Sequence, residues 1–153
     1  MKLNVLQPFR MRGCRFFLML ACCASLAAYE VFSLDGLYGL VSSLGSTDCT
    51  SYAADYSPEK YRRIRKGMTV EQTLSLGGEP IGCRIHNYAH AGRSETIWHE
   101  WSRECRERVV ANPDILERLC YTKSNPSDSS YRIRDVVFKN GEVDYKFSEF
   151  YGD

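Results

Sequence analysis

The sequence predicts an α+β fold: two short N-terminal helices packed on a three- to four-stranded antiparallel sheet, with a helical insertion before the last hairpin. Three observations predict it. Two short, firmly capped helical stretches lie between Ser57 and Pro80. Two alternating runs follow Pro80, and a further pair flanks Asn140-Gly141 near the C-terminus. Helices that come first and strands that pair as neighbours suit an antiparallel sheet covered on one side.

The first helix begins at Ser57, a favourable N-cap, with Pro58 at the first helical position, where its missing N–H costs nothing. Glu59 suits the positive end, and Arg62, Arg63, Arg65 and Lys66 the negative end. Gly67 is expected to stop the helix in the left-handed conformation. The second helix is written in KGMTVEQTLSLGGEP, residues 66–80. Thr69 and Gln72 make a capping box, Met68 precedes it as a staple, Gly78 is placed for a left-handed C-terminal cap and Pro80 prevents resumption. So short a helix has to be fixed by its ends, because isolated helices of this length are unstable in water.

After Pro80, Ile81, Cys83 and Ile85 alternate with Arg84, His86 and Tyr88, which reads as a strand. The second strand is TIWHEW, with Ile97, His99 and Trp101 on one face and Trp98 on the other. Residues 103–130 read as an insertion. Within it NPDILERLC is expected to be a short helix capped by Asn112, and 122–130 a polar loop. Asn140-Gly141 specifies a type I′ hairpin. Regular pairing would set Lys139 opposite Glu142, Phe138 opposite Val143 and Val136 opposite Tyr145. Val136, Phe138, Val143, Tyr145 and Phe147 would then share one apolar face.

The 153 residues suffice for one ordinary domain. A net charge of +1 gives no bulk basic signature, and no nucleic-acid partner is expected. The charge is unevenly placed. Residues 1–29 hold four of the 20 basic residues and no acid, so the rest carries 16 basic against 19 acidic. With the apolar run Phe16–Ala28, this is the pattern of an export signal. Three forms are open: cleavage after Ala27, lipidation of Cys22 in the loose lipobox MLAC, or an uncleaved anchor over Phe16–Leu34. An anchored form, by lipid or helix, is preferred to free secretion. Residues 1–29 are thus assigned to a signal peptide or membrane anchor, 30–56 to a flexible Ser/Gly-rich linker and 57–153 to the folded domain. The expected location is the cell envelope, on the periplasmic side of a membrane.

Of seven cysteines, Cys49, Cys83, Cys105 and Cys120 lie in the body. In an oxidising compartment they allow three pairings. Cys105 with Cys120 closes a loop of about 16 residues, worth roughly 3 kcal/mol in the chain-entropy model, and leaves Cys49 to Cys83. Four free thiols are the alternative.

The stretch GMTVEQTLSLGGEP resembles the GMTxxQVxxLLGxP signature of the SmpA/OmlA lipoprotein family, matching at Gly67, Met68, Thr69, Gln72, Leu74, Leu76, Gly78 and Pro80. VVFKNGEVDYKF is similar to that family's closing hairpin. Thr73 and Gly77 stand where the family has Val and Leu. The resemblance implies a lipid-bearing cysteine, a tether, two short helices and a three-stranded sheet, in a small lipoprotein of the outer-membrane barrel-assembly machine. The β-lactamase inhibitor proteins are similar in fold.

The function expected is that of an envelope-anchored protein-binding or scaffold module serving outer-membrane assembly or maintenance. An inhibitor-type module that blocks an envelope enzyme is the alternative. Partners are expected to be envelope proteins, with the membrane reached through the N-terminus. Cys83, His86 and His90 have metal-like spacing, but a strand points the first two apart, so no metal site is expected. Cys83, His99 and Asp135 could be assembled into a catalytic set only without any ordering motif. The chain is therefore read as a non-enzyme with no cofactor. Trp98, Trp101 and Tyr145 are the candidate binding surface.

Overall fold

The computed structural model describes residues 19–25, 28–29, 34–37, 39, 41, 49–87, 95–124 and 130–151. The chain is α+β, as expected. In order it forms β1 (Thr50–Tyr52), α1 (Pro58–Arg63), α2 (Val70–Gly77), β2 (Gly82–Asn87), β3 (Glu95–Glu100), α3 (Arg103–Ala111), a 3-10 turn (Pro113–Ile115), β4 (Leu116–Cys120), β5 (Thr122–Ser124), β6 (Tyr131–Lys139) and β7 (Glu142–Tyr151). The main sheet has five antiparallel strands in the order β3-β2-β4-β6-β7, and β1 pairs with β5 in a small second sheet.

The helix caps form as their residues dictate. Ser57 Oγ accepts from Lys60 N at 3.1 Å. The capping box of α2 is complete: Gln72 N donates to Thr69 Oγ1 at 3.3 Å, and Thr69 N donates to Gln72 Oε1 at 3.0 Å. Gly78 ends α2 at φ 83 and ψ −174, a region open essentially to glycine alone, and its N–H donates to Leu74 O. Gly67 has a different task. α1 ends at Arg63, and Gly67, at φ 83, turns the chain so that its N–H reaches Val143 O at 2.8 Å.

The 103–130 segment departs from expectation. Its helix is α3, capped by Ser102 Oγ on Cys105 N at 3.1 Å, and Asn112 stands at that helix's C-terminus. Pro113 opens only a single 3-10 turn. The residues read as a helix, LERLC, are instead β4, the central strand of the sheet. Pairing on both sides decides this: β4 lies antiparallel to β2 and to β6, and Leu116, Leu119 and Cys120 are buried there. Tertiary context overrides so short a local pattern.

The hairpin turn is as read, with Asn140 at φ 53 and Gly141 at φ 76. Lys139 pairs with Glu142 and Phe138 with Val143, but Val137, not Val136, then faces Tyr145. A bulge inserts Asp144 as an unpaired residue in β7, and one extra residue reverses the alternation beyond it. Tyr145 and Phe147 consequently leave the face that Val136 and Phe138 occupy. Lys146 comes onto that face opposite Val136.

Helices cover one side of the sheet. Cys83, Ile85, Leu119, Val136, Phe138 and Val143 meet Tyr61, Ile64, Val70, Leu74 and Val109 in one core. Each fully buried aliphatic side chain contributes about 1.5–3 kcal/mol. Tyr61 locks α1 onto the strands, its hydroxyl proton shared between Asp135 O at 2.8 Å and Phe147 O at 2.9 Å.

The assignment of 30–56 to a flexible linker does not hold over its described residues. β1 pairs with β5, and Ala53 N donates to Tyr121 O at 2.9 Å. Residues 34–37 are helical, and the Asp35 carboxylate is wholly buried between Arg134, whose Nη1 is 2.5 Å from Oδ1, and Arg132. A buried carboxylate held by two guanidiniums is a tertiary anchor rather than a spacer. Residues 19–25 are also helical and every one of them is exposed, Met19 at 72%. No described helix is long and apolar enough to cross a membrane. The anchor's start at Phe16 and the cleavage position after Ala27 lie outside the described residues.

Candidate functional site: the open face of the sheet

Antiparallel partners point to the same side, so the register defines the face opposite the helices. One row crosses all five strands: Trp98, Arg84, Arg118, Val137 and Tyr145, each paired with the next. The adjacent row is Glu100, Gly82, Cys120, Asp135 and Phe147. Toward the end of the β6–β7 ribbon the face continues through Ile133 and Glu149 to the ring pair of Tyr131 and Tyr151, 5.5 Å apart.

The centre of this face is a compact polar cluster. Arg118 Nη1 is 3.1 Å from Asp135 Oδ2, and its guanidinium stands 6.0 Å from the centre of the Phe147 ring. The Cys120 thiol hydrogen-bonds to Asp135. Burial raises the Asp135 pKa, and the hydrogen bond and charge of Arg118 offset only part of that rise. Burial and the neighbouring Asp135 charge push the Cys120 thiol up as well, so it stands protonated and non-nucleophilic at neutral pH.

Each edge strand puts an exposed aromatic on this face. Trp98 is 39% exposed on one edge strand and Tyr145 50% on the other. Four strand spacings separate them, about 19 Å. The Trp98 indole covers Gly82, where a Cβ would collide with the ring and approach His99 O to 2.8 Å.

Of the three aromatics predicted as a binding surface, Trp98 and Tyr145 share this face. Trp101 does not. It continues the alternation of Ile97 and His99 onto the helix side, where it packs against the core. The space left by Gly77 is filled by Tyr121, whose hydroxyl lies 2.6 Å from where a Cβ would stand.

The other sequence candidates disperse. Cys83 and His99 are cross-strand partners on the helix side, whereas Asp135 is on the open face, so no catalytic set forms from them. His86 points away from Cys83, His90 lies outside the described residues, and the described residues hold no group of three or more metal ligands. The predicted disulfides are not the observed neighbours. Cys105 Sγ is 2.6 Å from Cys83 Sγ, while Cys120 is across the sheet with Asp135. The reason is the misread insertion: with α3 at 103–111 and LERLC in a strand, Cys105 and Cys120 belong to different layers.

Two features escaped the sequence reading. The Arg84–Arg118 row depends on β4 being a strand, for which LERLC gave only a weak alternation. The Asp35 anchor left no local signal. Comparison with family models, with curated proteins and with solved structures finds no match for the chain. The class defined by the structure itself is an α+β protein whose five-stranded sheet carries helices on one face and, among the described residues, none on the other.

Proposed function

We propose that this chain is a membrane-tethered protein-binding module of a bacterial cell envelope, which holds a protein partner against the open face of its sheet. The observation that carries the reading is that face: two exposed aromatics at its edges, Trp98 and Tyr145, frame a fixed arginine-containing centre. Aromatic and arginine anchors around a rigid centre are the composition of binding hot spots. The apolar helical residues 19–25, all exposed, are what a membrane tether or export signal requires. The resemblance of residues 67–80 to the SmpA/OmlA signature supports the same setting, with outer-membrane assembly or maintenance as the process served.

The test is cross-linking and affinity capture from membranes, comparing the full chain with Trp98→Ala and Tyr145→Ala variants. Each variant is expected to fold normally and to lose the captured envelope protein. Unchanged capture by the double variant overturns the reading. If the captured partner is a hydrolase whose activity falls on binding, the inhibitor-type reading takes its place. Labelled palmitate reports on the tether. Incorporation that disappears in Cys22→Ala identifies a lipid anchor, and membrane fractionation without label in either form rules the lipid out.

A further inference from the structure

We propose that Cys83 and Cys105 form an intramolecular disulfide that fastens α3 to β2, closed by thiol–disulfide exchange entering through Cys105. The two sulfurs are direct neighbours at 2.6 Å, although 22 residues separate them in sequence. Cys83 is fully buried near the start of β2, and Cys105 is 7% exposed in the first turn of α3. Neither of the other body cysteines competes. Cys120 is on the opposite face of the sheet beside Asp135, and Cys49 precedes β1, its N–H on Ser130 O.

The surroundings set the order of events. A polar cavity of about 240 Å³ opens beside Cys105, lined by His99, Ser102, Glu104 and Arg108. A disulfide in solution can reach Cys105 there but cannot reach Cys83. Burial, and then the neighbouring Cys105, hold the Cys83 thiol well above its usual range, so Cys83 reacts second. The chemistry balances with an external disulfide RSSR as oxidant. The Cys105 thiolate attacks one sulfur, giving a Cys105–SR mixed disulfide and releasing RS⁻. Cys83 loses its proton to solvent, and its thiolate attacks the Cys105 sulfur and expels the second RS⁻. Two protein thiols are oxidised, and one RSSR is reduced to two thiols.

The clamp has a mechanical reason. α3 buries only Cys105 and Val109, so little else holds this helix to the sheet. The bond would fix the edge pair β2–β3, which carries Trp98.

The test uses the full chain equilibrated with oxidised glutathione, blocked with N-ethylmaleimide in denaturant and digested with trypsin. The expected product is the peptide 67–84 linked to 104–106. Reduction should lower the Tm of the wild type by roughly 5 °C or more, and should leave Cys83→Ser and Cys105→Ser unchanged. Three outcomes overturn the proposal: Cys105 linked to the 119–123 peptide that holds Cys120, both thiols recovered alkylated, or a glutathione adduct that persists on Cys105 beside an alkylated Cys83. Because the peptide map is read on the wild type, it decides the matter even where a variant fails to fold.

Discussion

Lys146 caps the C-terminus of α1. Its Nζ donates to Tyr61 O at 3.0 Å and to Arg62 O at 3.1 Å, and it stands 5.2 Å from the centre of the Tyr61 ring. A cation on the last carbonyls of a helix is favourable, and partial burial strengthens the effect. The Asp144 bulge is what makes this contact available, since regular pairing would send Lys146 to the open face. Lys146→Met, which keeps most of the apolar stem, should therefore cost about 1–2 kcal/mol. Urea denaturation measures it. A change within a few tenths of a kcal/mol would place Lys146 in solvent and remove the bulge from the description.

The Trp98 indole and Gly82 make a second local test. Gly82→Ala forces a methyl into the ring and toward His99 O. Overpacking of this kind costs about 1–3 kcal/mol. The displaced indole should also become more solvated, with red-shifted fluorescence. Trp98→Ala should relieve the clash, so the double variant should be less destabilised than the two single changes summed. Strict additivity would mean that the ring does not lie on Gly82.

The buried Asp35 tests whether the segment before β1 belongs to the fold. Removing one member of a buried ion network leaves the others desolvated and unpaired, at about 3–5 kcal/mol. Asp35→Ala removes the carboxylate that Arg132 and Arg134 share, and should destabilise by that order. Adding Arg134→Met should recover part of the loss, because an apolar group then replaces an orphaned charge. A flexible linker would give no change in the denaturation midpoint for Asp35→Ala.

What the sequence made legible was local. Ser57, the Thr69–Gln72 box, Gly78 and Asn140-Gly141 each act within a few residues, and each was readable because its physics is confined to that span. β4 was not legible, because LERLC becomes a strand only when β2 and β6 are present on either side. The bulge at Asp144 was hidden for a similar reason: seventeen residues of good alternation pointed to a regular ribbon, and the break is favoured by contacts made elsewhere, Lys66 to Asp144 at 2.6 Å and Lys146 to α1. The candidate face inherited both errors. Trp98 was found, Tyr145 was found for the wrong register, and Trp101 was lost to the core. The cysteine pairing failed because it was reasoned from loop length, while spatial neighbourhood decides it.

Asp135 gives the open face a pH signature. Its pKa is raised from the ordinary 3.8, chiefly by burial, with Arg118 recovering part of the cost of the charge. A carboxyl whose folded pKa exceeds its unfolded value binds more protons in the folded state across the window between the two. Stability therefore falls as pH rises from 3.8 through the raised folded value, and is flat with respect to this group above it. Asp144 acts with the opposite sign: its pKa is lowered by the Lys66 hydrogen bond, so its contribution is lost as pH falls through its folded pKa. That group lies at the surface, and screening keeps its effect small. Asp135→Asn keeps an acceptor for Arg118 and removes the titration. Urea midpoints measured at a series of pH values should show a falling component in the wild type that is missing from the variant. Identical profiles for the two proteins would mean that Asp135 is solvated and that the centre of the face is not closed by Arg118 and Phe147.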